Sequence, residues 1–166
     1  MDTLSHGLWG AAAAGRSDRR AFGQAFFFGV FPDLFAFAPG MLAWAWQGFP
    51  PLHKKWGEPP PLSAIPEFTF HLYDFSHSLL VWGALFAAVW LFCKKPFWPM
   101  AAWGLHILCD IPTHSTRYFP TPFLWPFETP YVNGMAWNNM KFMVCNYSLL
   151  GLALFTVWKT SLKPRT

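Results

Sequence analysis

Apolar and polar positions along this chain fall into long blocks. Residues 1 to 15 run from Met1-Asp2-Thr3-Leu4-Ser5-His6 into small apolar residues and predict a short helix capped by Asp2 or Thr3. They lack the basic start of a signal peptide and carry His6 where such a peptide is apolar, so they are expected to stay in the mature protein. A basic turn, Arg16, Arg19 and Arg20, precedes an apolar run from Ala21 to about Trp46 that is interrupted by Phe31-Pro32-Asp33. Residues 47 to 70 are rich in proline, including Pro50, Pro51, Pro59, Pro60, Pro61 and Pro66, and read as an extended loop; His53, Lys54, Lys55 and Glu58 in it read as a solvated surface. The next run opens at Tyr73-Asp74-Phe75-Ser76-His77-Ser78 and continues to Cys93, with Asp74 or Ser76 as cap and His77 in the first turn. Residues 96 to 113 form a further run. Residues 115 to about 140 form a second loop, dense in proline and rings (Phe119 to Phe127), of the kind that suits a headgroup zone or a lid. The last apolar run is Met140 to Trp158. The pattern predicts an all-α polytopic membrane protein, one integral domain over 1–166, with about four full transmembrane helices plus the short N-terminal one.

The chemistry of these runs lies in their few polar side chains. In Gly104-Leu105-His106-Ile107-Leu108-Cys109-Asp110-Ile111-Pro112-Thr113-His114, residues four apart share a helix face, so His106 and Asp110 project together, and His114 follows if the helix survives Pro112. An imidazole and a carboxylate inside an apolar run are costly and call for a partner, either a metal ion or a neighbouring helix. Asp33, beside a helix-bending proline, would cost about 2.5 to 3.5 kcal/mol at a bilayer centre and is expected to be paired, protonated or bound to metal. His6 belongs either to the same site or to an interfacial amphipathic helix, and His77 either to the site or to the membrane boundary.

Composition decides the class. Of 166 residues 54% are hydrophobic and 12% charged, against about 25% charged in a soluble domain. No room remains for a separate soluble enzyme. The net charge of +4 is spread in short clusters at the ends of apolar runs, which argues against a nucleic-acid partner and reads as a topology signal. Arg16, Arg19, Arg20, Lys94, Lys95, Lys159, Lys163 and Arg165 gather on one expected side; Lys54, Lys55, Arg117 and Lys141 gather on the other. The richer side should be cytoplasmic, with both long loops outside. From those anchors Asp33 stands about 20 Å, His106 about 16 Å, Asp110 about 22 Å, His77 about 25 Å and His6 about 15 Å along their helices, which places them in one layer toward the outer face. Cys93, Cys109 and Cys145 lack zinc-site or disulfide spacing and are expected to be small core residues.

The chain resembles the YdjM family, LexA-regulated inner-membrane metal-dependent hydrolases, through four motifs in order. They are Met1-Asp2-Thr3-Leu4-Ser5-His6, Phe31-Pro32-Asp33-Leu34, Ser76-His77-Ser78-Leu79-Leu80, and His106 to Asp110 continuing through Thr113 to Leu124-Trp125-Pro126. The chain departs from the family where a second acid is replaced by Phe35, and where a basic His-Arg-Gly stretch is replaced by Leu72, Tyr73 and Asp74, with Asp74 and His71 as candidate compensations. Such losses imply fewer metals or a different substrate. The order of ligands is also similar to that of zinc-dependent phospholipase C and single-strand nucleases. The resemblance implies a bacterial inner-membrane location and a hydrolytic activity.

The leading expectation is a metal site of His6, Asp33, His77, His106 and Asp110, with His114 as a further ligand or a proton shuttle and Asp110 and His114 serving catalysis. Nitrogen and carboxylate donors without thiolate suit zinc first, then manganese or iron. So many ligands imply either Asp110 bridging two metals or some residues in supporting positions. A metal-activated water would attack an ester or phosphoester in a lipid-linked substrate reached from the bilayer, with Arg117 steadying a phosphate or simply snorkelling. The rival expectations are a non-catalytic metal carrier and a haem protein with His77 and His106 as axial ligands.

Overall fold

The computed structural model describes residues 1–16, 18–49 and 59–161. The expectations for His53, Lys54, Lys55, Glu58, Lys163 and Arg165 lie outside the described residues. Among the described residues all regular structure is helical: α1 (Thr3–Ala14), α2 (Arg19–Gln47), α3 (Glu67–Ser76), α4 (Leu79–Cys93), α5 (Ala101–Thr113) and α6 (Met140–Ser161), with 3-10 turns at Leu62–Ala64 and Trp98–Met100.

The expectation of about four full crossings is not met. Among the described residues two helices, α2 and α6, are long and apolar enough to cross a membrane, or up to three spans if α3 and α4, bent by 56° at their junction, count as one. The run at 96–113 divides into a 3-10 turn and a helix of 13 residues, which reaches about 20 Å and falls short of the roughly 30 Å hydrocarbon layer. Pro99 within that turn and the tight chain entry after Lys95 consume the residues that hydropathy alone assigns to a span. By contrast, α2 runs on through Pro32 and Pro39 as one helix of 29 residues.

The junction of α3 and α4 also corrects the expected cap. Ser78, not Asp74 or Ser76, starts α4, its hydroxyl accepting from the backbone N–H of Leu80 and Val81. His77 closes α3, its backbone N–H donating to the Tyr73 carbonyl. An additional helix, α3, thus occupies part of what reads as loop, because the stretch after Pro66 contains no further proline.

Helix α1 is no interfacial helix. It packs against α2, α5 and α6 and buries Ser5, His6, Gly7, Gly10, Ala11 and Ala12. Gly29 of α2 makes this possible, since a Cβ there would lie 2.5 Å from the His6 carbonyl oxygen and 2.9 Å from Gly7 Cα. On the other side of α1, Asn146 of α6 donates to Ser5 Oγ (2.8 Å) and accepts from Trp9 Nε1 (2.9 Å).

The outer faces are apolar. None of the residues of α4 is buried, and Leu91 and Phe92 are 71% and 88% exposed. On α6, Val144, Leu149, Leu152 and Phe155 are exposed as well. Continuous apolar surface of this kind needs a cover other than water, which agrees with membrane association. Cys93 and Cys145 share this outward exposure and Cys109 is only partly covered, so the three cysteines are not core residues as their spacing suggested. In a bilayer an apolar thiol is as well accommodated on the outside of a bundle as within it.

Candidate metal centre

Each ligand-bearing side chain reaches the centre from a different piece of backbone. Asp33 comes from the middle of α2, His77 from the break between α3 and α4, and His106 and Asp110 from one face of α5. All four are buried, and one donor atom from each lies within 4.8 Å of the others. Asp33 Oδ1 stands 3.5 Å from His77 Nε2 and 3.6 Å from His106 Nε2. Asp110 Oδ2 stands 3.6 Å from His77 Nε2 and 3.1 Å from His106 Nε2, and the two Nε2 atoms are 3.1 Å apart. Donors bonded at about 2.1 Å to one tetrahedral ion are separated by about 3.4 Å. The observed edges bracket that value.

The hydrogen bonds around the cluster fix which nitrogen faces inward. His106 Nδ1 lies 2.6 Å from the Gly29 carbonyl, and His77 Nδ1 lies 3.2 Å from the Tyr73 carbonyl and 2.9 Å from Ser76 Oγ. A carbonyl oxygen only accepts, so in each ring Nδ1 carries the proton and Nε2 presents its lone pair to the centre. The oxygens of Asp33 are divided in the same manner, with Thr3 Oγ1 donating to Oδ2 at 2.6 Å while Oδ1 faces the imidazoles. Lone pairs of two imidazoles and two carboxylates therefore converge in a space shielded from water. The carboxylate charge buried there calls for positive charge beside it, which a divalent cation supplies.

The remaining predicted residues meet the other oxygen of Asp110. His6 Nε2 is 2.8 Å and His114 Nε2 3.4 Å from Oδ1. The Met1 amino group also donates to Oδ1, and to Thr113 Oγ1 at 2.9 Å. The rings of His6 and His106 stack with centroids 3.6 Å apart. Helix α5 contains Pro112 but ends at Thr113, and His114 caps it in extended backbone, so His114 meets Asp110 from just beyond the helix rather than as its next turn. Its Nδ1 lies 2.7 Å from the Phe119 carbonyl, which again turns Nε2 toward the carboxylate.

The second loop holds these groups in place. Gly134 N–H donates to the His114 carbonyl, Met135 N–H to that of Pro112 and Trp137 N–H to that of Thr113, closing the carbonyls left open where α5 ends. A Cβ at Gly134 would lie 2.2 Å from the Pro112 oxygen, so no other residue fits there without displacing the loop. Farther along, Leu79 N–H donates to the Phe123 carbonyl and Ser78 Oγ to that of Trp125, tying the aromatic stretch to the break that carries His77. A cavity of about 280 Å³ lies under the loop, lined by Thr113, His114, Ser115, Tyr118 and Trp137 among others.

The arrangement leaves three expectations behind. His71 is exposed, and neither it nor Asp74 joins the cluster, so they do not stand in for the missing basic stretch. Arg117 is exposed on the loop. The Nε2 atoms of His77 and His106 are too close for a porphyrin plane between them, which removes the haem reading. Sequence reasoning missed Thr3, Tyr73 and Ser76, which orient the ligands without holding them. Thr3 lies one turn before His6 on α1, and that spacing is the single signal that places it on the site face. Comparison with models of known protein families, with curated proteins and with solved structures gives no match.

Proposed function

We propose that this chain is a membrane-embedded metal-dependent hydrolase of the YdjM type, cleaving an ester or phosphoester in a lipid-like substrate. The observation that carries the reading is the convergence of four buried donors, 3.1 to 3.6 Å apart along the five edges given above and all within 4.8 Å, with the outer atoms of the rings and of Asp33 held by hydrogen bonds. A divalent cation held by Asp33, His77, His106 and Asp110, zinc before manganese or iron, would supply Lewis acidity and lower the pKa of a coordinated water to about 7.

The chain's own residues do the rest. Asp110 joins the sealed side of the site to its accessible side, one oxygen toward His77 and His106 and the other toward His6 and His114. His114, half buried, forms part of the wall of the cavity under the loop, so a polar group seated there meets the centre through it. The exposed apolar surfaces of α4 and α6 support a substrate reached from a bilayer. The bacterial inner membrane and an outward-facing site belong to the same reading, supported by the four motifs and the bias of positive charge.

The test is metal analysis of detergent-purified wild type and Asp110→Ala, followed by a screen of phospholipids and soluble phosphoesters. Bound metal with turnover, both abolished in the variant, is the expected result. Metal without turnover across the screen would favour a carrier, and a wild type that binds no divalent ion would overturn the proposal altogether.

A further inference from the structure

At the end of the molecule away from the metal centre, two turns meet. Gly15 and Arg16 lead from α1 toward α2, and Lys94 to Pro96 lead from α4 toward α5. Lys94 takes a left-handed backbone conformation (φ 57°) that stops α4, and the Trp98–Met100 turn after it packs on α1 and α2. Between the two turns lies a notch of about 710 Å³, with half-buried Ala14, Ala101 and Leu105 along its wall and exposed Arg16, Lys95 and Trp98 at its mouth. Sites for small molecules span about 300 to 1,000 Å³. Arg16 Nε donates to the Ala12 carbonyl at 2.7 Å, which holds the guanidinium beside the notch. The turns carry Arg16, Arg19, Arg20, Lys94 and Lys95 against one acid, Asp18, whose Oδ1 accepts from the Ala21 N–H at the start of α2. The notch stands well apart from the candidate ligands, about 18 Å along α2 from Ala21 to Asp33 and about 14 Å along α5 from Ala101 to Asp110.

We propose that this notch binds the headgroup of an anionic phospholipid, its phosphate between Arg16 and Lys95 and the first part of an acyl chain along the apolar wall. The two halves of the notch call for two chemistries. Guanidinium and ammonium groups recognise a phosphate, whereas walls of alanine and leucine recognise hydrocarbon. A soluble phosphate would leave the wall unfilled, and a zwitterionic headgroup would leave the two cations only partly matched; an anionic phospholipid meets both halves. The position agrees with this occupant. Arg19 begins α2, which is long enough to cross a membrane, so in a membrane crossed by α2 the neighbouring Arg16 and Lys95 stand where the phosphate layer meets hydrocarbon. Trp98, 62% exposed, presents the kind of amphipathic ring that such a boundary favours. A lipid seated there touches α1, α2 and the turn before α5 together, and so fastens the three helices that carry His6, Asp33 and Asp110. This site is separate from the cavity beside His114 and needs neither a metal ion nor catalysis.

Native mass spectrometry of the detergent-purified protein, with phosphatidylglycerol or phosphatidylcholine added at equal concentration, counts the lipid retained per chain, and circular dichroism checks the fold of each variant. The wild type should keep one phosphatidylglycerol in preference to phosphatidylcholine. Arg16→Gln/Lys95→Gln should weaken that retention roughly 30-fold, the effect of two basic side chains on an anionic headgroup, with the metal content of the wild type. Arg19→Gln/Arg20→Gln removes the same charge outside the notch and should weaken retention by less than about threefold. Should the first variant fail to fold, Lys95→Gln alone takes its place, with an expected drop of about fivefold. Equal retention of the two lipids by the wild type overturns the proposal. So does an equal drop in the two double variants, which would mean diffuse surface charge, or competition by glycerol phosphate as strong as that by the lipid, which would mean a site for soluble anions.

Discussion

Helices α4 and α5 follow one another in the chain, both are apolar, and they are used in opposite ways. In α4, Leu79 to Cys93, every residue keeps some exposure and none carries a charge. In α5, Ala101 to Thr113, seven residues are buried, and His106 and Asp110 are among the most deeply covered side chains of the molecule. The ionisable residues of α5 lie inside, beside apolar ones such as Trp103 and Ile107, while the outward surface of α4 is apolar. A helix against lipid gains nothing by hiding leucine, whereas an ionisable group in contact with lipid is costly unless neighbours or an ion meet it. The pairing of α4 and α5 thus separates the outward apolar surface from the buried polar cluster.

Substitutions that reach the buried face should test that separation most severely. Asp110→Ala takes both oxygens from between four imidazoles. It should abolish metal binding and lower stability by about 3 to 5 kcal/mol, read by elemental analysis and thermal unfolding in detergent. Full metal retention in that variant would erase the distinction between the two helices.

A smaller effect is expected from the helix crossing that brings His6 in. Gly29→Ala would force a Cβ to within 2.5 Å of the His6 carbonyl, which cannot move without shifting α1. The expected loss is about 1 to 3 kcal/mol of stability, accompanied by weaker metal binding; an unfolding midpoint equal to the wild type would show that α1 does not sit as closely on α2 as described.

Thr3→Val removes only the hydroxyl that holds Asp33 Oδ2. Loss of such an orienting bond typically lowers metal affinity by about 10- to 100-fold, so competition titration with a chelator should show that drop while the fold persists. Unchanged affinity would mean that Asp33 is oriented by the helix alone.

The mildest substitution lies on the lipid side. Leu91→Ala on α4 touches no site residue and should change stability by about 0.5 kcal/mol or less, with metal content the same as wild type. A loss of metal there would show that α4 supports the centre after all.

Much of the centre could be read from the chain because the i, i+4 spacing of His106 and Asp110 is a local property, fixed by helix geometry before any packing occurs. The cost of Asp33 in an apolar run is equally local, and it identifies a partnered acid without naming the partner. The cap of α1 at Asp2 follows from side-chain reach to the Ser5 N–H. Hydropathy misjudged 96–113, since a run of apolar residues records preference for lipid or core and not whether the backbone stays straight through Trp98-Pro99-Met100. It likewise could not tell that His77 ends one helix while Ser78 begins the next, a break stabilised by Trp103 Nε1 donating to the Ser76 carbonyl 27 residues away in sequence.

By itself, then, the sequence determined the helical class, the apolar exterior and which side chains were too costly to be idle, all of which depend on residues within a turn or two of each other. Only the tertiary structure decided how many helices are long enough to cross, which oxygen of each carboxylate faces inward, and that His6 and His114 share Asp110 Oδ1. Those outcomes depend on contacts between segments distant along the chain, such as Gly29 beneath His6 and the loop carbonyl of Phe119 behind His114, and no local pattern encodes the distance at which two helices meet.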